Sequence, residues 1–196
     1  MSTAAVPART GVVLADLLPT GRTRVRDLAL VAGGAVLTGV AAQIAVPVPG
    51  SPVPVSGQTF AALLVGTALG ARRGFLSLAL YAVVGMAGVP WFAQGTSGYA
   101  MPSFGYILGM LLAATVVGAL ARRGADRSVL RTAGTMALGS LIIYAVGVPY
   151  LALATGMSLS QAVAAGLTPF LIGDAVKAAL AMGLLPTAWK AVGHKG

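Results

Sequence analysis

The chain is 196 residues long, with 57% apolar residues, only 9% charged residues and a mean hydropathy of +0.89. These values exclude an ordinary soluble domain and indicate an integral membrane protein. Cysteine is absent, the one histidine is His194 and the only acids are four aspartates, so the sequence predicts a binding or transport protein without a metal site rather than an enzyme.

Six apolar runs approach the thickness of a bilayer and predict an all-α fold of six transmembrane helices. The second and third runs are short for a span, which is compatible with tilt or with burial among the other helices. The sequence also predicts a flexible cytoplasmic segment over 1–26, a membrane domain over 27–190 and a cytoplasmic tail over 191–196. In chain order the runs are residues 27–46, 57–70, 74–90, 103–121, 131–155 and 168–189.

Basic residues are concentrated in alternate connections between these runs. Twelve of the thirteen lie before the first run, between the second and third, between the fourth and fifth, or after the sixth. The other three connections carry no charge. Because Lys and Arg near span ends are retained in the cytoplasm, this division predicts two cytoplasmic termini. The dispersal of the basic residues over span ends argues against a nucleic-acid-binding surface.

Two of the uncharged connections have a distinctive composition. The first has four prolines within residues 46–55, which predict a stiff, extended loop. The second, residues 88–102, combines aromatic rings, amides and glycines. Such a mixture suits a pocket for a neutral or weakly charged small molecule, but Trp and Tyr also anchor membrane proteins at the headgroup region. Composition alone leaves both interpretations open.

Apart from Asp27 and Arg131, which stand at the first positions of their runs, Asp174 and Lys177 are the only charged residues predicted to lie within a span. Their spacing of three residues places both on roughly the same helical face, near the predicted outer end. Charges at such depth usually face the protein interior or a water-filled cavity. One interpretation is a self-satisfied ion pair that fixes helix packing. The other is that Lys177 accepts a ligand carboxylate while Asp174 orients Lys177 or accepts ligand N–H groups.

Segments distributed along the chain resemble the BioY family, the biotin-specific substrate-binding (S) components of energy-coupling factor (ECF) transporters. The resemblance covers about residues 27–190, and the order and spacing of its pieces over six spans make the collective match specific. The matching pieces are residues 46–49, 52–60, 70–74, 81–93, 102–109 and 169–177.

The resemblance implies a six-helix S-component fold, with biotin bound near the outer face beneath the loops joining helices 1 to 2 and 3 to 4. It also implies that Asp174 and Lys177 belong to the biotin site. Gln58 is a candidate for the ureido group, although an amide at a span start can also cap the helix. Two features depart from the family pattern: residues 94–98 are less glycine-rich, and Met101 precedes Pro102 where glycine is common. The remaining candidate contacts are Trp91, Phe92, Gln94, Tyr99 and Tyr106.

The function implied is high-affinity biotin uptake across the plasma membrane of a prokaryote. The sequence contains no Gly-rich phosphate loop ending in Lys and Ser or Thr, so the chain needs no cofactor of its own and any ATP is hydrolysed by other subunits. The resemblance supplies these partners as a transmembrane coupling subunit and two ATPase subunits. The alternatives are a stand-alone oligomeric biotin facilitator, or an S component for another small carboxylate-bearing vitamin.

Small residues in the first helix predict a surface for the coupling subunit. Ala29 and Gly33, and likewise Ala35 and Gly39, are four residues apart. Small residues at this spacing let membrane helices approach closely, which is how such helices associate without a hydrophobic driving force. Contact with another helix of the same chain is the alternative.

Overall fold

The computed structural model describes residues 11–18 and 23–193, and most of this range is helical. Two short strands of two residues each pair antiparallel at the two ends of the first connection, with Ala45 opposite Ser56. Short 3-10 turns occur at Leu14–Leu17, Ala93–Gly95 and Thr168–Phe170. The helices and strands are α1 Thr23–Gln43, β1 Ala45–Val46, β2 Val55–Ser56, α2 Gln58–Leu69, α3 Ala71–Met86, α4 Phe104–Arg122, α5 Val129–Thr155, α6 Leu159–Gly166 and α7 Leu171–Gly193.

The prediction of an all-α membrane protein is confirmed in its coarse form. Four helical stretches within the described residues are long and apolar enough to cross a bilayer: Thr23–Gln43, Phe104–Arg122, Val129–Thr155 and Leu159–Val192, the last comprising α6 and α7. By contrast, α2 has 12 residues and α3 has 16. Gly70 separates these two short helices with φ +83°, in the left-handed region that glycine adopts without strain.

The structure corrects the predicted connection at 156–167, which contains helix α6. Ser158 accepts a hydrogen bond from the Gln161 amide, and the Gln161 side chain accepts one from the Ser158 amide. This reciprocal pair is a capping box, a strong signal for a helix start. Span length alone does not predict α6, because its eight residues are too few to cross a bilayer.

Helix α4 lies at the centre of the bundle and packs against α2, α3 and α5. Close approach to α5 depends on Gly109, because a Cβ atom at that position would lie 2.8 Å from the carbonyl oxygen of Ile143. Near the other end of α4, Gly118 fits against the backbone of Gly70 and Ala71 in the same way. At the Gly109 end of α4, side chains from α2, α5 and the start of α7 line a cavity together with α4, and the candidate site lies there.

The predicted flexible segment, residues 1–26, falls partly on residues 1–10 and 19–22, which lie outside the described residues. Of the remainder, residues 11–18 lie against helix ends: Val13 is fully buried, and the Gly11 amide donates to the Arg122 carbonyl at 2.8 Å. Residues 23–26 form the first turn of α1. At the other terminus α7 continues to Gly193, and the rest of the predicted tail is outside the described residues.

Candidate ligand-binding site

A small cavity of about 40 Å³ lies at the end of the bundle where β1, β2 and the 87–103 loop connect the helices. We call this the cavity end. Apolar side chains form most of the cavity wall, and a few polar groups converge on it from α2, α5 and α7, which is the composition typical of small-molecule sites. The apolar wall includes Phe92, Ile107, Met110 and Phe170, and the polar groups include Gln58, Thr59, Tyr144, Asp174 and Lys177.

Four of the polar side chains form one hydrogen-bonded group, which we call the Asp174 cluster: Asp174, Lys177, Thr59 and Tyr144. The Nζ atom of Lys177 lies 3.2 Å from Oδ1 of Asp174 and donates to the Thr59 hydroxyl at 2.8 Å. The hydroxyl of Tyr144 donates to Oδ2 of Asp174. Both charged side chains are largely buried. Three helices thus satisfy a pair of charges that the first turns of α7 place at the cavity.

Gln58 contributes a second polar group to the cavity and is only 6% exposed. Its side-chain amide contacts the Met110 sulfur at 3.7 Å, and a thioether is a weak acceptor. Helix α2 has Gly57 at its N-cap without a side-chain cap bond, so the alternative of a capping amide finds no support. Gln58 therefore keeps hydrogen-bonding capacity for another group in the cavity.

Two aromatic candidates also line the cavity. Phe92 is 1% exposed and packs edge-on against Tyr81, with the ring centroids 5.1 Å apart. Tyr106 donates its hydroxyl proton to the carbonyl oxygen of Gly166 at 2.8 Å, which ties α4 to the end of α6. Their rings thus contribute apolar surface, while the Tyr106 hydroxyl is engaged within the protein.

Three candidates lie outside the cavity lining. The Trp91 indole packs on Gly39 and donates to the Tyr81 carbonyl at 3.0 Å, so its ring and its N–H group are used within the loop. Gln94 is exposed, with φ +61°. Tyr99 is 68% exposed. Of the four candidate residues in this loop, only Phe92 lines the cavity.

Thr59 and Tyr144 are the cluster members that sequence reasoning missed. Both are uncharged residues in apolar runs, and Tyr144 is 30 residues from Asp174 in the chain. Their contacts are tertiary, so no local spacing reveals them. The available signal was weaker: a hydroxyl in an apolar run must find a partner when it is buried.

The small residues of α1 divide into two pairs with different surroundings. Ala35 is buried, and a Cβ atom on Gly39 would lie 2.9 Å from the Trp91 ring. Ala29 and Gly33 are exposed and line an apolar groove of about 440 Å³ between α1, α2 and α7. The inner pair therefore serves packing within this chain, and only the outer pair faces outward.

The opposite end of the bundle holds the other three aspartates, and we call it the arginine-rich end. Arg73 binds Asp16 at 2.7 Å and Asp27 at 2.9 Å, which joins residues 11–18 and α1 to α3. Asp126 is fully buried and accepts a 2.8 Å hydrogen bond from the Trp189 indole, and the guanidinium of Arg127 lies 4.3 Å from the centroid of the same ring.

The pKa values of two aspartates at this end are shifted in opposite directions. Burial alone raises the pKa of Asp16, but the hydrogen bonds from Arg73 and Val13 and the arginine charges outweigh it, so this pKa lies below its ordinary range. Burial raises the pKa of Asp126 above its ordinary range despite the bond from Trp189 and the charge of Arg127.

The helical bundle has the fold of an S component. It superposes with a TM-score of 0.78 on the crystal structure of the S-component for biotin from an ECF-type ABC transporter, at 21% sequence identity, covering 88% of this chain and 95% of that one. The sequence model of the BioY family matches residues 14–194. The chain belongs to the BioY family, which confirms the resemblance described above.

Curated relatives support this membership over most of the chain. The probable biotin transporter BioY of Pyrococcus horikoshii is 36% identical over 162 residues, which cover 81% of this chain and 93% of the relative. The biotin transporter BioY2 of Lactococcus lactis subsp. cremoris is 36% identical over 161 residues, which cover 81% of this chain and 87% of the relative.

Proposed function

We propose that the chain is the biotin-binding membrane subunit of an ATP-driven ECF uptake system. The observation that carries this proposal is the Asp174 cluster at a mostly apolar cavity, in a member of the BioY family. The names of the relatives and of the structural neighbour support biotin as the ligand.

The cavity offers chemistry that matches biotin. The fused rings and valeryl chain of biotin are largely apolar and suit the wall formed by residues such as Phe92 and Met110. Its ureido group carries two N–H donors and a carbonyl acceptor. Asp174 supplies acceptor oxygens, Lys177 supplies a donor and Gln58 supplies both kinds of group.

The structure favours the ureido group over the carboxylate as the partner of Lys177. The ammonium of Lys177 lies 3.2 Å from Asp174, so its charge is already compensated. A carboxylate placed beside Lys177 also approaches Asp174 and meets a like charge. A neutral group with donors and acceptors meets no such penalty. We therefore revise the expectation from the sequence and assign the ureido ring to this pair, with the valeryl chain along the apolar wall.

Binding requires the lining to move. A space of about 40 Å³ accommodates water rather than a bicyclic vitamin. The 87–103 loop supplies Phe92 to the wall, and its residues 94–98, of which 94–97 are exposed, include three positive-φ positions, Gln94, Gly95 and Gly98. We expect this loop to shift when the ligand enters.

The proposed topology has six spans with both termini in the cytoplasm of a prokaryote. Its support is the position of the arginines: Arg73, Arg122 and Arg127 all lie at the end of the bundle opposite the cavity. Lys and Arg concentrate on the cytoplasmic side of membrane proteins. Ligand then reaches the cavity from the outside.

A coupling subunit and two ATPase subunits complete the proposed uptake system and use the ATP. The surface we assign to the coupling subunit is the outward pair on α1, Ala29 and Gly33, because it lies open in an apolar groove. A close helix–helix contact needs small residues that are not already covered by their own chain.

Calorimetric titration of the purified chain with biotin tests this function. Biotin amide, which lacks the carboxylate charge, and 2-iminobiotin, which alters the ureido carbonyl, serve as competitors, with desthiobiotin as a control that keeps both groups. We expect tight binding of biotin and a larger loss for 2-iminobiotin than for the amide. Absence of biotin binding contradicts the function, and a larger loss for the amide contradicts the assigned orientation.

A further inference from the structure

Each charge of the Asp174–Lys177 pair is held by a hydroxyl group from a different helix. Thr59 of α2 accepts from the Lys177 ammonium at 2.8 Å, and Tyr144 of α5 donates to the Asp174 carboxylate. All four side chains line the cavity. The two hydroxyls are 118 and 30 residues from their partners in the chain, so their contacts are part of the tertiary fold.

We propose that Thr59 and Tyr144 are positioning residues, which fix the Lys177 ammonium and the Asp174 carboxylate so that their remaining donor and acceptor sites face the ligand. This inference takes biotin as the ligand from the proposed function, whereas the contacts of Thr59 and Tyr144 with the charged pair are present without a ligand.

The charged pair keeps hydrogen-bonding sites that the two hydroxyls do not occupy. The ammonium of Lys177 has three N–H bonds, and Asp174 and Thr59 take two of them. The carboxylate of Asp174 has about four lone-pair sites, and Lys177 and Tyr144 occupy two. The cluster therefore presents one donor beside free acceptor sites, an arrangement complementary to a neutral group that carries an N–H beside a C=O.

The hydroxyls also act on the pair in different ways. Without Thr59 the ammonium loses an acceptor, and is free to rotate about the Lys177 side chain. Without the Tyr144 hydroxyl, the Asp174 carboxylate loses a hydrogen-bond donor, so its negative charge attracts the Lys177 ammonium more strongly. The two losses should change the reactivity of the Lys177 amine in opposite directions, because bonds to the charged form of a group favour that form. A purely packing role for either side chain predicts no such opposition.

The first test measures biotin affinity in the full-length chain. Thr59→Val and Tyr144→Phe each remove one hydroxyl and keep most of the shape. We expect each to weaken biotin binding about tenfold or more, since both bonds involve a charged group. Thr59→Ser should restore most of the affinity. The matched controls are Thr115→Val and Thr67→Val, whose hydroxyls each bond to a carbonyl of their own helix away from the cavity.

The second test needs no ligand. A small amine-acylating reagent is applied to each variant, and peptide mass spectrometry gives the rate at Lys177 relative to Lys190 in the same sample. We expect Thr59→Val to raise this ratio several-fold and Tyr144→Phe to lower it, with both controls at the wild-type ratio.

The outcomes separate this inference from the proposed function. Biotin affinities and labelling ratios equal to the controls overturn the positioning role and leave the function standing. Opposite shifts in labelling in a chain that does not bind biotin support the positioning role and overturn the assigned ligand.

Discussion

The cavity end and the arginine-rich end both hold buried or half-buried aspartates with basic partners, yet only the cavity end surrounds a candidate ligand site. At the arginine-rich end Arg73 reaches Asp16 and Asp27 on other segments and so closes the space between them. Asp174 and Lys177 belong to a single helix, three residues apart. Because the two charges already pair on one helix, the hydroxyls of α2 and α5 complete the cluster without filling the space beside it, and the side facing the bundle interior remains a cavity.

In this chain, the aspartates at the two ends differ in what their partners connect. Asp16 and Asp27 connect segments, and Asp126 is held by Trp189 of α7 beneath Arg127. Asp174 alone among the four aspartates lines the cavity. Changes at the two ends should therefore separate ligand binding from stability.

Loss of either charge of the Asp174–Lys177 pair should have the largest effect. We expect Asp174→Asn or Lys177→Ala to weaken biotin binding at least about 100-fold, because the remaining buried charge loses its partner and the ligand loses a hydrogen-bonding group. Isothermal titration calorimetry on the detergent-solubilised protein measures this. Asp16→Asn is the matched control from the other end, and an equal loss of affinity in that variant would abolish the distinction between the two ends.

Arg73→Ala should lower stability and leave biotin affinity unchanged. Asp16 and Asp27 each lose their nearest basic partner, so the free energy of unfolding should fall by about 2 kcal/mol, on the scale of hydrogen bonds to charged groups. Biotin affinity of the folded protein should stay at the wild-type value. Thermal unfolding in micelles and a biotin titration provide the two readouts, with the exposed neighbour Arg72→Ala as the control. A variant with wild-type stability would show that this ion-pair network does not hold the end together.

The two glycines of α1 should respond differently to leucine. Gly39→Leu forces the side chain against Trp91 and should cost about 1–3 kcal/mol of stability by overpacking. A Cβ atom at Gly33 meets no atom of the described residues within 4 Å, so Gly33→Leu should keep stability and biotin binding while it weakens assembly with the coupling subunit. Thermal unfolding and co-purification test this, and an intact complex with Gly33→Leu would refute the proposed surface.

The smallest expected effect concerns pH and compares two aspartates of the arginine-rich end. The lowered pKa of Asp16 stabilises the folded protein at neutral pH, and this contribution is lost as the pH falls through the folded-state pKa. The raised pKa of Asp126 means that the folded protein binds its proton more readily, so its contribution improves as the pH falls.

Melting temperatures between about pH 7 and about pH 2, a range that extends below the ordinary pKa of an aspartate, distinguish these contributions. Asp16→Asn should flatten the loss of stability on acidification, and Asp126→Asn should steepen it. The same slope in both variants and the wild type would show that neither carboxyl is linked to folding in this range.

Much of the fold follows from the sequence because apolar runs and charge placement are local signals. The first, fourth, fifth and sixth apolar runs correspond to α1, α4, α5 and α7, within several residues of their predicted bounds. The pair of Asp174 and Lys177 was also found locally, by helical spacing and by the rarity of charge in a span. The short helix α6 was missed because a run of eight residues resembles a connection when only span length is considered.

The rest of the site depends on contacts between distant segments. Thr59 and Tyr144 reach the pair only after α2, α5 and α7 pack together. Trp91 has the composition of a ligand contact, but Gly39 leaves space for its ring and the Tyr81 carbonyl takes its N–H group. Composition cannot distinguish an aromatic ring that faces a cavity from one that fills a gap in its own loop.

A structure of the full-length chain with biotin bound tests the central claim most directly. We predict the ureido ring within hydrogen-bonding distance of Asp174 and Lys177, the fused rings against Phe92 and the valeryl chain along the apolar wall. Biotin in the groove between α1 and α7, or its carboxylate at Lys177 with the ureido group elsewhere, would contradict the account.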